Sequence, residues 1–459
     1  MNIPRTFAAM MAAGAATVAS AVDVSDVTMA QNLQNRLVTI TYRLSGPAVV
    51  TLDIQTNATP NAATGWKSIG GEHICNARGA VWRKVTDADA NDGVCAITWQ
   101  PVDSWLDGSG DGFKVGSGRA KAVITAWPLD NTPDYMVVDI AEGAQPNTQR
   151  YYPAVDFLPG AELGQKGAVT NNTAYKTSML VMRKIMAKDV TWTMGSTSAE
   201  SLRSSNETTH QVTLTNNYYI GIFEVTQKQW AYILPGSRPS YFTAEWEMRP
   251  VERVSFNKIR MASNSNTAAA DALEWPAPPY SGSWLDRLRT RTGLDFDLPS
   301  EAQWEFACRA GHGDGKWGDG SAVLNTQKDA NLNKLARTMF NGGFRTESVW
   351  REPLRTDAPT NGTAIVGTYL PNSWGLYDMH GNVCEAVLDK YLADITSLNG
   401  AVNTEGSGNH VVRGGRAYDS GWTAGSFCRS AYRTSQDDAD VEYHFRLHGL
   451  RVACRAGLK

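Results

Sequence analysis

The sequence predicts an α+β chain: an antiparallel β-sandwich, followed by a loop-rich domain of short strands and two helices. Three observations predict it. Residues from about 32 to 145 show period-two apolar alternation broken by turn residues. Beyond Val190 the pattern changes to short strands and two capped helix starts. The 41 glycines and 15 tryptophans among 459 residues suit a turn-rich protein packed by large aromatics better than a helical bundle.

The first 21 residues read as a secretory signal. Arg5 supplies the positive start, Thr6 to Ala19 is small and mostly apolar, and Ala19-Ser20-Ala21 is an A-x-A cleavage site. The mature chain would begin near Val22, in a secreted, periplasmic or cell-surface protein. The apolar run is shorter than the roughly 20 residues a membrane span needs, and no other segment is long and apolar enough to cross a bilayer. The net charge of −3 gives no reason to expect nucleic acid or an anionic membrane as a partner.

Residues 22–145 form the expected sandwich. Val38, Ile40, Tyr42 and Leu44 alternate with polar residues, Ser45-Gly46-Pro47 punctuates, and Val50, Leu52 and Ile54 resume the alternation. Further strands are expected at Val94–Gln100, Ala120–Trp127 and Tyr135–Ile140. Short strands at this spacing, without helices, suggest a sandwich of immunoglobulin or fibronectin type. Nothing here gathers catalytic side chains, so a spacer or adhesion role is expected. Residues 146–189 read as a connector, rich in Pro, Asn, Gly and Thr until a strand near Met179–Met182.

The second domain, 190–459, opens with an alternating strand at His210–Leu214 and an apolar one at Tyr218–Val225. Thr226 can cap a helix through Gln229 and Trp230. Ser300 and Gln303 form a capping box ahead of the apolar positions Trp304, Phe306, Ala307 and Cys308. The six cysteines, Cys75, Cys95, Cys308, Cys384, Cys428 and Cys454, suggest disulfides in an exported chain. Cys75–Cys95 is the only pair open to the N-terminal domain if each domain keeps its own bridges.

The segments TWTMGS, IGIFEVTQKQW, RPVERVSF, FDLPSEAQWEFACRAG, NSWGLYDMHGNVCE, HVVRGGRAYDSG, FCRSAYR and GLRVAC follow one another in this order. Together they resemble the formylglycine-generating-enzyme-like, or sulfatase-modifying-factor, family over about residues 190–459. The resemblance implies a C-type-lectin-like core with a small twisted sheet, two helices and long loops. It also implies a copper(I)-dependent oxidation of a sulfatase cysteine, for which soft thiolates are the natural ligands. The family's two copper-binding cysteines, five residues apart, align with Ser420 and Gly425, and neither can act as a thiolate. Cys428 is the one nearby thiol, a candidate only if an altered oxidase site survives. No G-x-S-x-G elbow and no P-loop offers another chemistry.

The resemblance further implies a structural calcium ion on Asp378 and Glu385, with carbonyls from Gly381 and Val383, an oxygen set suited to a hard cation. A second site would use Asn331 and the carbonyl of Leu332, with Asp357. It also suggests a bridge between Cys308 and Cys454, which leaves Cys384 with Cys428. The expected role is a binding module for a protein or glycan. Its surface would be loops from about Arg416 to His448, with Arg416, Tyr418, Trp422, Arg429, Tyr432 and Arg433 as interface-forming types. The alternatives are an oxidoreductase of the formylglycine-generating type with an altered site, and a retroelement-diversified receptor of the same fold.

Overall fold

The N-terminal alternation becomes two antiparallel sheets. Eight strands fill this part: β1 (Val24–Gln31), β2 (Val38–Leu44), β3 (Ala48–Thr56), β4 (Lys67–Ser68), β5 (Arg78–Gly79), β6 (Arg83–Val85), β7 (Cys95–Trp99) and β8 (Ala120–Trp127). One sheet runs β1-β2-β7-β5; in the other, β3 pairs with β8, β4 and β6. Val38, Ile40 and Tyr42 of β2 and Cys95, Ile97 and Trp99 of β7 are buried, with Ile40 opposite Ile97. Val50, Leu52 and Ile54 of β3 join them in one hydrophobic cluster. Each such side chain, fully buried, contributes about 1.5–3 kcal/mol of transfer free energy. The computed structural model describes residues 22–106, 112, 115–162, 164, 169–261, 275–324, 329–343, 362–405, 409–417, 424–436 and 447–458. The expected signal, 1–21, lies outside them.

The next strand departs from the sequence reading. β9 (Tyr135–Asp139) forms where expected, but it pairs with β11 (Met179–Ile185) rather than with any of β1–β8. The sheet runs β10-β9-β11-β14-β19, with β10 at Arg150–Tyr152, β14 at Tyr218–Gly221 and β19 at Ala453–Arg455. Met136, Val137 and Val138 are all buried. Both faces of β9 are therefore covered, unlike a sandwich strand with one wet face. The stretch expected as a connector thus supplies β10 and β11 to a sheet completed by the last strand of the chain.

Two smaller sheets follow: β12 (Thr191–Met194) with β13 (His210–Thr213), and β17-β16-β15-β18. In the latter, β15 (Cys384–Lys390) runs parallel to β18 (His448–Leu450) and antiparallel to β16 (His410–Arg413), which pairs with β17 (Thr434–Gln436). The helices are short: α1 (Ala174–Thr177), α2 (Gln227–Ile233), α3 (Phe256–Arg260), α4 (Trp284–Thr292), α5 (Glu301–Arg309), α6 (Leu332–Leu335) and α7 (Ala424–Phe427). Among the described residues, no helix is long and apolar enough to cross a membrane.

The expected capping box of Ser300 with Gln303 forms on α5, and the expected cap at Thr226 forms on α2 as a full capping box with Gln229. Helix α4 was not anticipated, although its signals were present: Ser283 accepts from the Asp286 N–H, and Gly293 ends the helix at φ 71°. Trp284 of α4 stacks on Trp230 of α2 at 5.2 Å between ring centroids. All nine residues of α5 are buried, charged ones included. That burial makes α5 the element around which the rest of the site is arranged.

Candidate functional site

A helix that buries three charges needs partners for each, because an uncompensated buried charge is costly. On α5 these are Glu301, Glu305 and Arg309, spaced four apart on one face. Arg433 forks onto Glu301 at 2.7 and 2.8 Å. Arg413 of β16 reaches Glu305 and also donates to the carbonyls of Ser430 and Tyr432 at 2.9 and 2.7 Å. Arg309 donates to Glu305 at 2.8 Å, and the Gly195 N–H donates to the same carboxylate at 2.9 Å. Burial alone would raise the Glu305 carboxyl, but Arg309 and Arg413 bring it below its usual range. Arg429 forks onto Glu207 at 2.7 Å through each terminal nitrogen and reaches Glu200 at 2.8 Å.

This arrangement corrects two expectations. Arg429 and Arg433, taken from sequence as interface residues, are 1% and 2% exposed. Their guanidinium groups are used in bidentate ion pairs that tie the FCRSAYR segment to α5 and to the loop before β13. Arg416 and Tyr432 remain half-buried at the edge. Arg416 lies 3.3 Å from the His448 Nε2, and the Tyr432 ring packs edge-on against Phe427 at 5.0 Å. Tyr418, Trp422, Ser420 and Asp357 fall outside the described residues.

The segment from Asp378 to Glu385 is held from two sides. Gly381 sits where a Cβ would lie 2.5 Å from the Arg337 carbonyl, so only glycine fits. Glu224 accepts from the Val383 N–H at 3.0 Å and from the Asn382 amide at 2.7 Å. Both Glu385 oxygens are occupied, by Arg451 at 2.8 and 3.1 Å and by the Trp304 indole N–H at 2.7 Å. Arg451 also donates to the carbonyls of Gly221 and Tyr377 at 2.8 Å. Glu385 is therefore an arginine partner here, not an oxygen donor turned toward a cation.

Asp378 is different. One of its oxygens accepts from the Gly367 N–H at 2.7 Å; the other, Oδ1, is buried without a hydrogen-bond partner. Burial raises its carboxyl to about 6, and burial with the charges of Asp378 and Glu385 pushes Glu224 well above its ordinary range. Of the expected second ligand set, the Leu332 carbonyl accepts from the Ala336 N–H at 3.0 Å, and the Asn331 Oδ1 accepts from the Lys334 ammonium at 3.4 Å. Glu224, Glu207, Glu301 and Glu305 were all missed as partners. For Glu224 a signal existed, a lone acid within the apolar run Ile220–Val225.

All six cysteines are buried thiols, and none of the expected bridges forms. The reason is that the members of each pair serve different neighbourhoods. Cys75 donates to the Glu72 carbonyl, while Cys95 lies against the Tyr42 hydroxyl. Cys308, at the end of α5, faces Ser430 at 3.4 Å and the His380 ring; Cys454 lies on β19 opposite Tyr219. Cys384 donates to the Leu447 carbonyl at 3.3 Å. Cys428 packs with Trp317, Leu332, Leu335 and Ala336. Burial pushes the Cys308 thiol up to about 12 and the neighbouring His380 down to about 4. The histidine is thus neutral, accepting from the Gly318 N–H at 2.9 Å while its other nitrogen meets the Cys428 carbonyl at 2.9 Å. Cys308 and His380 thus form a packed, uncharged pair.

The sulfatase-modifying factor enzyme 1-like domain matches residues 179–456, well over half of the chain. Among curated proteins, the "Chaperone protein LppX" of Paenibacillus barcinonensis is 28% identical over 37% of this chain and 61% of its own length. The formylglycine-generating enzyme of Bos taurus is 30% identical over 31% of this chain and 35% of its own length. The "Inactive C-alpha-formylglycine-generating enzyme 2" of Bos taurus is 30% identical over 36% and 50%. The chain thus spans between about a third and three-fifths of these relatives' lengths. Among solved structures, PvdO from Pseudomonas aeruginosa aligns with a TM-score of 0.44 at 22% identity, covering 60% of this chain and 94% of that one.

Proposed function

The chain belongs to the sulfatase-modifying-factor family, and from that premise we propose that it is an exported, non-catalytic binding module for a protein or glycan. One observation carries this reading. By the family resemblance the two copper-binding cysteine positions fall on Ser420 and Gly425, and the one nearby thiol, Cys428, is buried against Trp317, Leu332, Leu335 and Ala336. Soft thiolates are what copper(I) requires. A relative bears the name "inactive" for the same type of enzyme, and another is named a chaperone, which fits a non-catalytic role.

In this reading, the arginine-clamped frame carries the loops from Arg416 to His448 as the contact surface, with Tyr418 and Trp422 among its contacts. A rigid base for variable loops is how binding surfaces are commonly built. The N-terminal sheets act as an immunoglobulin- or fibronectin-like spacer, the C-terminal part has a C-type-lectin-like core, and residues 1–21 direct export. A structural calcium ion would use the partnerless Asp378 Oδ1, with the carbonyls of Gly381 and Val383. Glu385 would take no part, because Arg451 and Trp304 hold it.

The test is a copper(I) titration of the reduced protein and of Cys428→Ser, with a cysteine-containing sulfatase peptide offered as substrate. The module reading expects no thiolate-dependent copper binding and no aldehyde product. Tight copper binding lost on Cys428→Ser, with peptide oxidation, would instead establish the altered oxidase.

A further inference from the structure

A pocket of about 400 Å³, a volume in the range of small-molecule sites, opens between the loop after β13, the start of α5 and the loop after β15. It shares no lining residue with the loop surface from 416 to 448, so it stands apart from the proposed module surface. Gly400 lets its walls approach each other: a Cβ there would lie 2.9 Å from the Thr213 carbonyl, and φ is 78°.

The floor and the rim of the pocket differ. Leu214, Trp275, Val402 and Gln303 of the lining are buried. The Trp275 indole N–H donates to the Leu298 carbonyl at 2.8 Å, so its ring adds apolar surface. Gln303 adds one donor. It is 5% exposed, its Oε1 accepts from the Ser300 N–H at 2.8 Å, and its Nε2 has no hydrogen-bond partner among the described residues. Unmet groups on so buried an amide are uncommon in folded proteins. At the exposed rim, the Asn399 Oδ1 accepts from the Thr213 N–H at 2.9 Å, which leaves its Nδ2 as a second donor. A backbone N–H can only donate, so neither amide can turn over without losing its bond. Asn216 supplies an acceptor: its Nδ2 donates to the Thr215 hydroxyl at 2.9 Å, and its Oδ1 is left over. Arg455 is the charged residue of the lining, and its guanidinium donates to the Trp275 carbonyl at 3.0 Å.

We propose that this pocket binds a neutral sugar carrying an N-acetyl group, an N-acetylhexosamine. An apolar floor with one fixed donor matches an acetamido group: the methyl lies on Leu214 and Val402, and the carbonyl accepts from the Gln303 Nε2. A wet rim that offers both a donor and an acceptor matches ring hydroxyls, which do both. One hydroxyl accepts from Asn399 and another donates to Asn216. A purely apolar ligand would cover the Gln303 Nε2 without giving it an acceptor, which is unfavourable. Recognition of the sugar uses no charged group of the chain.

Isothermal titration of the full chain with N-acetyl-D-glucosamine and with N-acetyl-D-galactosamine tests this directly. D-Glucose, which lacks the acetamido group, and D-glucosamine, which carries an ammonium in its place, serve as controls. Saturable binding of at least one N-acetyl sugar is expected, with both controls weaker by about tenfold or more. Gln303→Glu keeps the oxygen that accepts from Ser300, and with it the capping box, but puts a second oxygen where the donor was. Asn399→Asp makes the same exchange on an exposed residue. Each should weaken binding by about tenfold. Thermal midpoints check the fold, and if Gln303→Glu lowers its midpoint, Asn399→Asp decides. Failure of both N-acetyl sugars to bind at millimolar concentration would overturn the proposal. So would equal binding of D-glucose, or binding unchanged in Asn399→Asp. Each of these results is independent of copper and of Cys428, so the module reading stands or falls separately.

Discussion

The N-terminal sheets and the frame around α5 close their interiors with different chemistry. Between β2, β7 and β3 the buried side chains are chiefly Val, Ile, Leu, Tyr and Trp, related by strand alternation. Around α5 the buried set includes Glu301, Glu305, Arg309, Arg413, Arg429 and Arg433. Apolar burial is non-directional and tolerates several partners. A buried ion pair has a fixed geometry and a large desolvation cost, so it holds particular segments together or fails. The difference teaches why this part of the molecule can be so short of regular structure. Arginine forks to carboxylates and carbonyls do between loops what ladders do between strands.

The largest expected effect tests that contrast. Arg429→Ala strands the buried Glu207 carboxylate and should cost about 3–5 kcal/mol in urea unfolding. Ile97→Ala, in the apolar core, should cost about 2–5 kcal/mol through lost transfer energy and a cavity. The two differ in rescue. Adding Glu207→Gln to Arg429→Met removes the stranded charge and should recover part of the loss, whereas no charge change elsewhere repairs Ile97→Ala. If Arg429→Ala costs less than about 1 kcal/mol, the ion pairs are not what holds the frame and the contrast breaks.

The same contrast explains what could be read from the sequence. The strands at Val38–Leu44, Ala48–Thr56, Cys95–Trp99 and Ala120–Trp127 each carry their alternation within one strand, so a local window suffices. Arg433 and Glu301 are 132 residues apart, and Arg429 and Glu207 are 222 apart. No local pattern announces such partners, and the interface composition rule placed Arg429 and Arg433 at a surface they do not reach. β9 was legible as a strand but not as to its sheet, because pairing depends on where Met179–Ile185 folds back. The Asp378–Glu385 segment was legible as a carboxylate-bearing loop, yet Arg451 and Glu224, both distant in sequence, decide what its groups can do.

A middle-sized effect locates pH sensitivity in the frame. Glu252 is buried, with one oxygen accepting from the Tyr241 and Phe242 N–H groups and the other without a hydrogen-bond partner. Burial raises its carboxyl to about 7. In the folded chain it keeps its proton through a range where the unfolded chain has lost it. The native state therefore binds more protons between about pH 4.5 and 7, and stability falls as pH rises through that window. Asp389, pushed to about 7 by burial and by Glu301, adds to the same trend. Glu252→Gln should remove its share, on the order of 2 kcal/mol across the window, in unfolding curves at pH 5 and pH 8. An unchanged slope would mean that Glu252 titrates normally. In the N-terminal sheets, by contrast, Asp89 is lowered despite its burial, by the Thr86 backbone and Arg83, which gives no such slope above pH 5.

The smallest effect compares the two capping boxes, the helix features most legible in the sequence. Ser300 accepts from the Gln303 N–H at 3.2 Å, and Thr226 accepts from the Gln229 N–H at 3.2 Å. Read locally, they are equivalent, and each should be worth about 1 kcal/mol. Their surroundings differ. The Asp389 carboxylate also takes the Glu301 N–H at 2.6 Å, so the start of α5 keeps a second cap when Ser300 is lost. The Thr226 hydroxyl also donates to the Lys176 carbonyl at 2.7 Å, so its loss removes that buried bond as well. Ser300→Ala should therefore cost less than about 1 kcal/mol, and Thr226→Ala about 1–2 kcal/mol, by thermal or urea unfolding. Equal losses would mean that Asp389 does not act as a cap, and that the carboxylate is held there only by the Asn403 N–H at 2.8 Å.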